Sequence, residues 1–219
     1  MSTNENRIKA FIINRNLLTT LKGTVDFLLK EPRVEVVIFD QQSTYPPLLQ
    51  YYKTCGVKVV YNGSNDGPHS VWGKTLRPEF NNNHYIVADS DCDYTGVPDD
   101  WLDRMLAGFE LPSLNKIGFS LRLDDLPVNT ITEQVHNWEH QFWQKKVHTG
   151  WLADIDTTFA LYRVHTEFTY NAIRLDTPYT IRHIPWYLEE IDMEWFYYLD
   201  NASNVFTWGM KIKKALTEK

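Results

Sequence analysis

The chain has 219 residues and a net charge of −6, which argues against a general nucleic-acid or anionic-membrane binder, because neither attracts an acidic protein over long range. With 43% hydrophobic and 23% charged residues it can build one globular domain with a substantial core, and two cysteines exclude a disulfide framework. Aromatic residues make up 14%, more than such a core needs, so some rings are expected to line a groove.

Met1 to Arg7 are polar and no apolar run is long enough to span a bilayer, so a soluble, cytoplasmic protein without a membrane span is expected. Ile8 to Ile13 reads as a first buried strand, followed by Asn14-Arg15-Asn16. Leu17 to Lys30 carries apolar residues at helical spacing and stops at Pro32. Val34 to Phe39 is a second strand ending in Asp40, Leu48 to Tyr52 a short helix after Pro46-Pro47, and Val57 to Tyr61 a third strand. Asn62 to Pro68 is too rich in turn formers to continue any regular element. Tyr85 to Ala88 is a fourth strand that runs into Asp89-Ser90-Asp91-Cys92-Asp93, three carboxylates at alternate positions. Asp99 or Asp100 then caps a helix from Trp101 to about Phe109. Ile117 to Leu121 is strand-like, Ile131 to Lys146 helical, and Thr157 to Tyr162 strand-like. His183 to Tyr187 forms an aromatic loop before an acidic helix over Glu189 to Leu199, and the two ends, residues 1–7 and 211–219, are expected to fray.

Alternation of strand and helix predicts parallel strands whose C-terminal ends meet at one edge, the place where open α/β sheets bind ligands. Arg15, Asp40, Asn65, Gly67 and the three acids then share one crevice. Crowded carboxylates repel each other, so a cation or cation-bearing ligand suits the site; the bland alternative is a solvated turn. Asp40 can accept from a base or ribose, Arg15 can donate to base carbonyls or phosphate, and Gly67 admits close backbone approach. No glycine-rich fingerprint follows the first strand, which argues against a dinucleotide-binding dehydrogenase and a P-loop enzyme. A hard divalent ion on Asp91, with Asp89 or Asp93, would neutralise a diphosphate, because such ions take oxygen ligands and bridge phosphate oxygens.

Ala88-Asp89-Ser90-Asp91 after an apolar strand resembles the acidic motif of the GT-A nucleotide-sugar glycosyltransferases of the family-2-like kind. Ile13-Asn14-Arg15-Asn16, Phe39 to Thr44, Asp156 to Arg163 and His183 to Tyr187 are similar to further segments of bacterial and large algal-virus members. The resemblance covers nearly the whole chain. It implies a single α/β domain with an open, mixed, mostly parallel Rossmann-like sheet flanked by helices, though the chain is short for the family and leaves room for a longer polypeptide. It also implies transfer of a sugar, as in a hexosyltransferase, from a UDP-sugar with Mn or Mg to a glycan or glycoprotein hydroxyl, with inversion. By the same resemblance Asp40 holds base or ribose, Asp89 ribose or metal, Asp91 the metal, and His183 is a late metal ligand. Asn14 and Ser90 belong to the matched nucleotide segments. Asp156 is a second candidate for the base or a partner of donor-sugar hydroxyls. The base that takes the acceptor proton is sought in Glu189-Glu190-Ile191-Asp192, with Glu190 first and Asp192 or Glu194 as alternatives. Two other readings stay open: a sugar-phosphate nucleotidyltransferase, which would need a basic glycine-rich loop absent here, and a non-catalytic carbohydrate-binding module.

Overall fold

The computed structural model describes residues 7–76, 83–110, 113–129, 131–189, 191–202 and 207–217. Strands β1 (Ile8–Asn14), β2 (Val34–Asp40) and β3 (Lys58–Tyr61) alternate with helices α1 (Thr19–Leu29) and α2 (Pro46–Tyr52). Strand β4 (Tyr85–Asp89) pairs with the free side of β1, and all the pairings among these four strands are parallel. Register sets Asn14 opposite Asp40, Ile13 opposite Asp89 and Asp40 opposite Tyr61, so the strand ends open along one edge. Both faces of this half are covered. Ala10 and Ile12 pack with Leu21, Val25 and Leu28 of α1, while Phe11 and Ile13 pack with Phe39, Tyr85 and Val87. Burial on both faces is why β1, β2 and β4 read as near-continuous apolar runs rather than alternating ones, while the edge strand β3 stays partly exposed.

The remaining elements are β5 (Cys92–Asp93), α3 (Trp101–Gly108), β6 (Lys116–Gly118), β7 (Ser120–Leu121), α4 (Thr132–Glu139), β8 (Lys146–Val147), β9 (Gly150–Asp154), β10 (Phe159–Tyr162), β11 (Asn171–Leu175), β12 (Thr180–His183), α5 (Met193–Asp200) and α6 (Thr207–Thr217). The main sheet has nine strands in the order β3-β2-β1-β4-β10-β6-β11-β9-β8, and β5-β12-β7 form a small second sheet. The main sheet is open and mixed, as expected. Its parallel share is four of eight pairings rather than a clear majority, with β10 antiparallel to β4 and β6, and β9 antiparallel to β8 and β11. The chain from Lys146 onward returns through short connections, which suit antiparallel neighbours.

Several boundaries differ from those read in the sequence. The strand expected over Ile117 to Leu121 breaks at Phe119 into β6 and β7, which join different sheets. Asp100 stands at the N-cap of α3 without capping it; its carboxylate instead accepts from the Tyr179 hydroxyl. Helix α4 stops at Glu139 and tightens into a 3-10 turn over His140–Trp143. The stretch from Lys211, expected to fray, is helical as far as Thr217 because Trp208, Ile212 and Ala215, at i, i+4 and i+7, pack against the core. Among the described residues no helix is long and apolar enough to cross a membrane.

Candidate active site

The acidic stretch leaves the main sheet at Asp89 and enters the small one at Cys92. There β5 pairs antiparallel with β12, Cys92 opposite His183 and Asp93 opposite Arg182, and the Ile184 amide donates to the Asp91 carbonyl at 2.9 Å. This backbone register brings the His183 Nε2 to 3.3 Å from Asp91 Oδ2, although 92 positions separate the two in sequence. The Trp186 ring stands edge-on to the imidazole at 4.8 Å. Burial works to lower the His183 pKa, but the charge and hydrogen bond of Asp91 outweigh it and the imidazole is raised above its ordinary value. Asp89 accepts from the Thr157 hydroxyl at 3.0 Å. Its pKa is raised well above the carboxylate range, first by burial and then by the charges of Asp91 and Asp156.

Arg182 holds β12 in place. Its guanidinium reaches Asp93 at 2.8 Å and Asp125 at 2.5 Å, and Tyr187 donates to the other oxygen of Asp125. Burial raises both carboxyl pKa values. Thr95 and Arg182 overcome it at Asp93, Arg182 and Tyr187 at Asp125, so both end below their ordinary value. Depressed carboxyl pKa values stabilise the fold above the unfolded value of about 4 and cease to do so as pH falls through the folded values. Melting temperatures measured from pH 6 to pH 3 should therefore drop steeply below about pH 4, and Arg182→Met should flatten that drop; equal slopes would remove Arg182 from the account.

One cavity gathers most of the residues singled out in the sequence. Asn14 and Arg15 enter it from the end of β1, Asn65 and Gly67 from the loop after β3. Asp89, Ser90 and Asp91 come from the end of β4, Asp156 from the turn before β10, and His183 from β12. Gly67 has φ +80°, a left-handed conformation that favours glycine and lets the loop turn into the cavity wall. Arg15 donates to the Asn201 carbonyl at 2.7 Å, capping the end of α5.

Other candidates are engaged elsewhere. Asp40 is buried, accepting from the Tyr52 hydroxyl at 2.8 Å and the Ser43 amide at 3.0 Å, and does not line the cavity. Tyr52 in turn accepts from Asn14, so Asp40 fixes the β1 end from behind. Asp192 is the N-cap of α5, accepting from the Trp195 amide at 2.8 Å. Glu194 reaches back across the fold to α1, whose own N-cap, Leu18, has no capping side chain. Its carboxylate accepts from the amides of Leu18 and Thr19 and from the Thr19 hydroxyl, at 2.8 to 2.9 Å. Glu194 does not line the cavity. Glu194→Ala should lower stability by about 2 kcal/mol, since it strips charge-assisted bonds from a helix start; denaturant unfolding measures this, and an undisturbed midpoint would return Glu194 to the list of bases. Glu190 lies outside the described residues.

The sequence reading missed Gln41, Thr157, Trp195, Tyr198 and Trp208 as cavity residues. Gln41 organises the loop after β3 by accepting from Ser70 at 3.0 Å and the Asp66 amide at 3.3 Å. Trp195 and Tyr198 of α5 and Trp208 of α6 line the same cavity; their only sequence signal was the aromatic content of these segments. Burial and the charges of Asp91 and Asp89 push the Tyr198 hydroxyl upward, so it stays protonated and keeps its O–H to donate. Among the tryptophans, Trp186 is buried in the core, and Trp143 and Trp151 pack on each other at 5.5 Å.

Among the described residues no three metal-binding side chains converge on one point. Asp91 and His183 nonetheless offer an oxygen and a nitrogen at close range, with Asp89 in the same cavity. Such a donor set fits a divalent ion that completes its shell with phosphate oxygens and water.

The mannosyltransferase PcManGT from Pyrobaculum calidifontis, in complex with GDP-Man and Mn2+, aligns over 97% of this chain and 69% of its own, with TM-score 0.55 and 12% identity. The fold is GT-A. Two more structures, S. aureus TarS (residues 1–349; TM-score 0.45, 15% identity) and GalNAc-T7 with UDP, GalNAc and Mn2+ (TM-score 0.47, 17% identity), each align over 72% of this chain. The GT-A chain spans only 47% and 35% of their lengths. No family model and no curated protein sequence matches it.

Proposed function

We propose that the chain is a metal-dependent glycosyltransferase that moves a sugar from a UDP-sugar to a hydroxyl of a glycan or glycoprotein, with inversion at the anomeric carbon. The observation that carries this reading is the meeting of Asp89, Asp91 and His183 with Arg15 and Asn65 in one cavity at the C-terminal edge of a GT-A sheet. PcManGT, which shares that fold, holds GDP-Man and Mn2+, which supports a nucleoside diphosphate sugar as the donor.

Asp91 and His183, with Asp89, would hold the divalent ion; the imidazole favours Mn2+ over Mg2+, which prefers oxygen alone. Once bound, the ion supplies positive charge against the departing diphosphate. Arg15 lines the cavity and has N–H groups besides the one on Asn201, which would donate to phosphate or base oxygens. Asn14, Asn65 and Gly67 frame the nucleotide, and Asp156 accepts from donor-sugar hydroxyls. Glu190 is assigned the acceptor proton, since Asp192 and Glu194 are occupied as caps.

A thermal-shift series with UDP- and GDP-sugars, with and without Mn2+, tests the donor class. At a ligand concentration a hundredfold above Kd the folded state gains about 2.7 kcal/mol, a rise of several degrees for a domain of this size. A Mn2+-dependent rise with UDP-sugars supports the reading, a rise with GDP-sugars alone changes the base, and no rise with either sinks it.

A further inference from the structure

Among the described residues, Lys116 is a lysine with no solvent exposure at all. It opens β6, in register with Tyr162 of β10, at a position where an apolar residue would satisfy the packing. Its ammonium donates to three main-chain carbonyls: Ile155 at 2.6 Å, Asp156 at 2.7 Å and Thr169 at 2.9 Å. The rings of Tyr162 and Phe168 lie 4.8 and 5.0 Å from it. Only the charged form carries three donors, and all three are used. Burial drives the Lys116 pKa down to about 7, against the charges of Asp156, Asp89 and Asp154, which favour the ammonium.

What the ammonium grips is a cavity wall. Ile155 and Asp156 begin the turn between β9 and β10, and the next residue, Thr157, donates to Asp89. The third carbonyl, Thr169, belongs to the segment leading into β11, so Lys116 ties the turn to the neighbouring strand from beneath. We propose that Lys116 is a positioning residue of the ligand site: its buried ammonium fixes the 155–158 turn so that Asp156 and Thr157 face the nucleotide-sugar cavity. The inference rests on the donor-site reading above. It assigns Lys116 no contact with ligand, and makes Asp156 the residue through which it acts.

A double-mutant cycle with Lys116→Met and Asp156→Asn, read as the affinity for UDP and for GDP, each with Mn2+, tests this. Lys116→Met should weaken binding about tenfold, and in the double variant should add less than twofold to the loss caused by Asp156→Asn, because sites that act through one another are not additive. Wild-type affinity in Lys116→Met, or fully additive losses, overturns the proposal. A wild-type protein that binds neither nucleotide sinks the donor reading instead. In that case, or if Lys116→Met does not fold, nitrogen NMR of 15N-lysine-labelled protein decides. A lysine ammonium signal absent in Lys116→Arg, slow to exchange with water and shifted by Asp156→Asn, supports the clamp; no protected signal, or one indifferent to Asp156→Asn, overturns it.

Discussion

Asp91→Ala is expected to lower Mn2+-dependent turnover of the donor by about a hundredfold to a thousandfold, because it removes the carboxylate closest to His183 and with it the oxygen that the proposed function gives to the ion. Folding should survive. Asp91 gives up a contact with His183, but its removal also relieves the repulsion that raises the Asp89 pKa, so the net change in stability should stay within about 1 kcal/mol. Measuring both quantities on one preparation separates chemistry from folding. Turnover retained at more than a tenth of wild type, in a folded variant, would move the metal role to Asp89 and Asp93.

Glu139→Ala should have the largest effect on stability. Glu139 and Arg174 form a buried ion pair at 2.7 Å, with side-chain exposures of 2% and 8%. Arg174 also donates to the Asp154 carbonyl at 2.8 Å and stacks on Phe142 at 3.9 Å, so the pair ties α4 to β11 and β9. Removing the carboxylate leaves a guanidinium buried without its counter-charge, which costs about 3–5 kcal/mol. Burial raises the Glu139 pKa in spite of Arg174, showing how much solvation the pair gives up. Replacing both partners with apolar residues of similar volume, Glu139→Leu with Arg174→Met, should recover most of the loss, since no charge is then stranded. Urea unfolding of the two single variants and the double one checks this; a double variant as unstable as Glu139→Ala would show that packing, not charge, dominates.

The parallel half of the sheet and the acidic end of β4 were legible in the sequence because their signals are local. Largely apolar runs of four to six residues, the turn formers from Asn62 to Pro68 and the abrupt passage from Tyr85-Ile86-Val87-Ala88 to Asp89 each state their own conformation. Parallel alternation then follows from strand twist and crossover handedness, which is why the sequence alone places Asn14, Asp40 and Asp89 on one edge. The C-terminal half was less legible. Strands β8, β9, β11 and β12 are short and half-polar, and the partners they need are distant in the chain.

Local pattern also said which carboxylates were near a helix start, but not which were spent there. Asp192 and Glu194 share one acidic segment, yet one caps its own helix and the other caps a helix 175 residues away. Asp40 sits at a strand end as expected and is taken by Tyr52, while Lys116, in an apolar strand, is saved by three carbonyls from two distant segments. The sequence by itself determined where charge and apolar surface alternate, and so the sheet edge and the acids upon it. Only the tertiary structure decided which of those charges face the cavity, because a buried polar group goes where a partner waits, and the partner is set by packing rather than by neighbours in the chain.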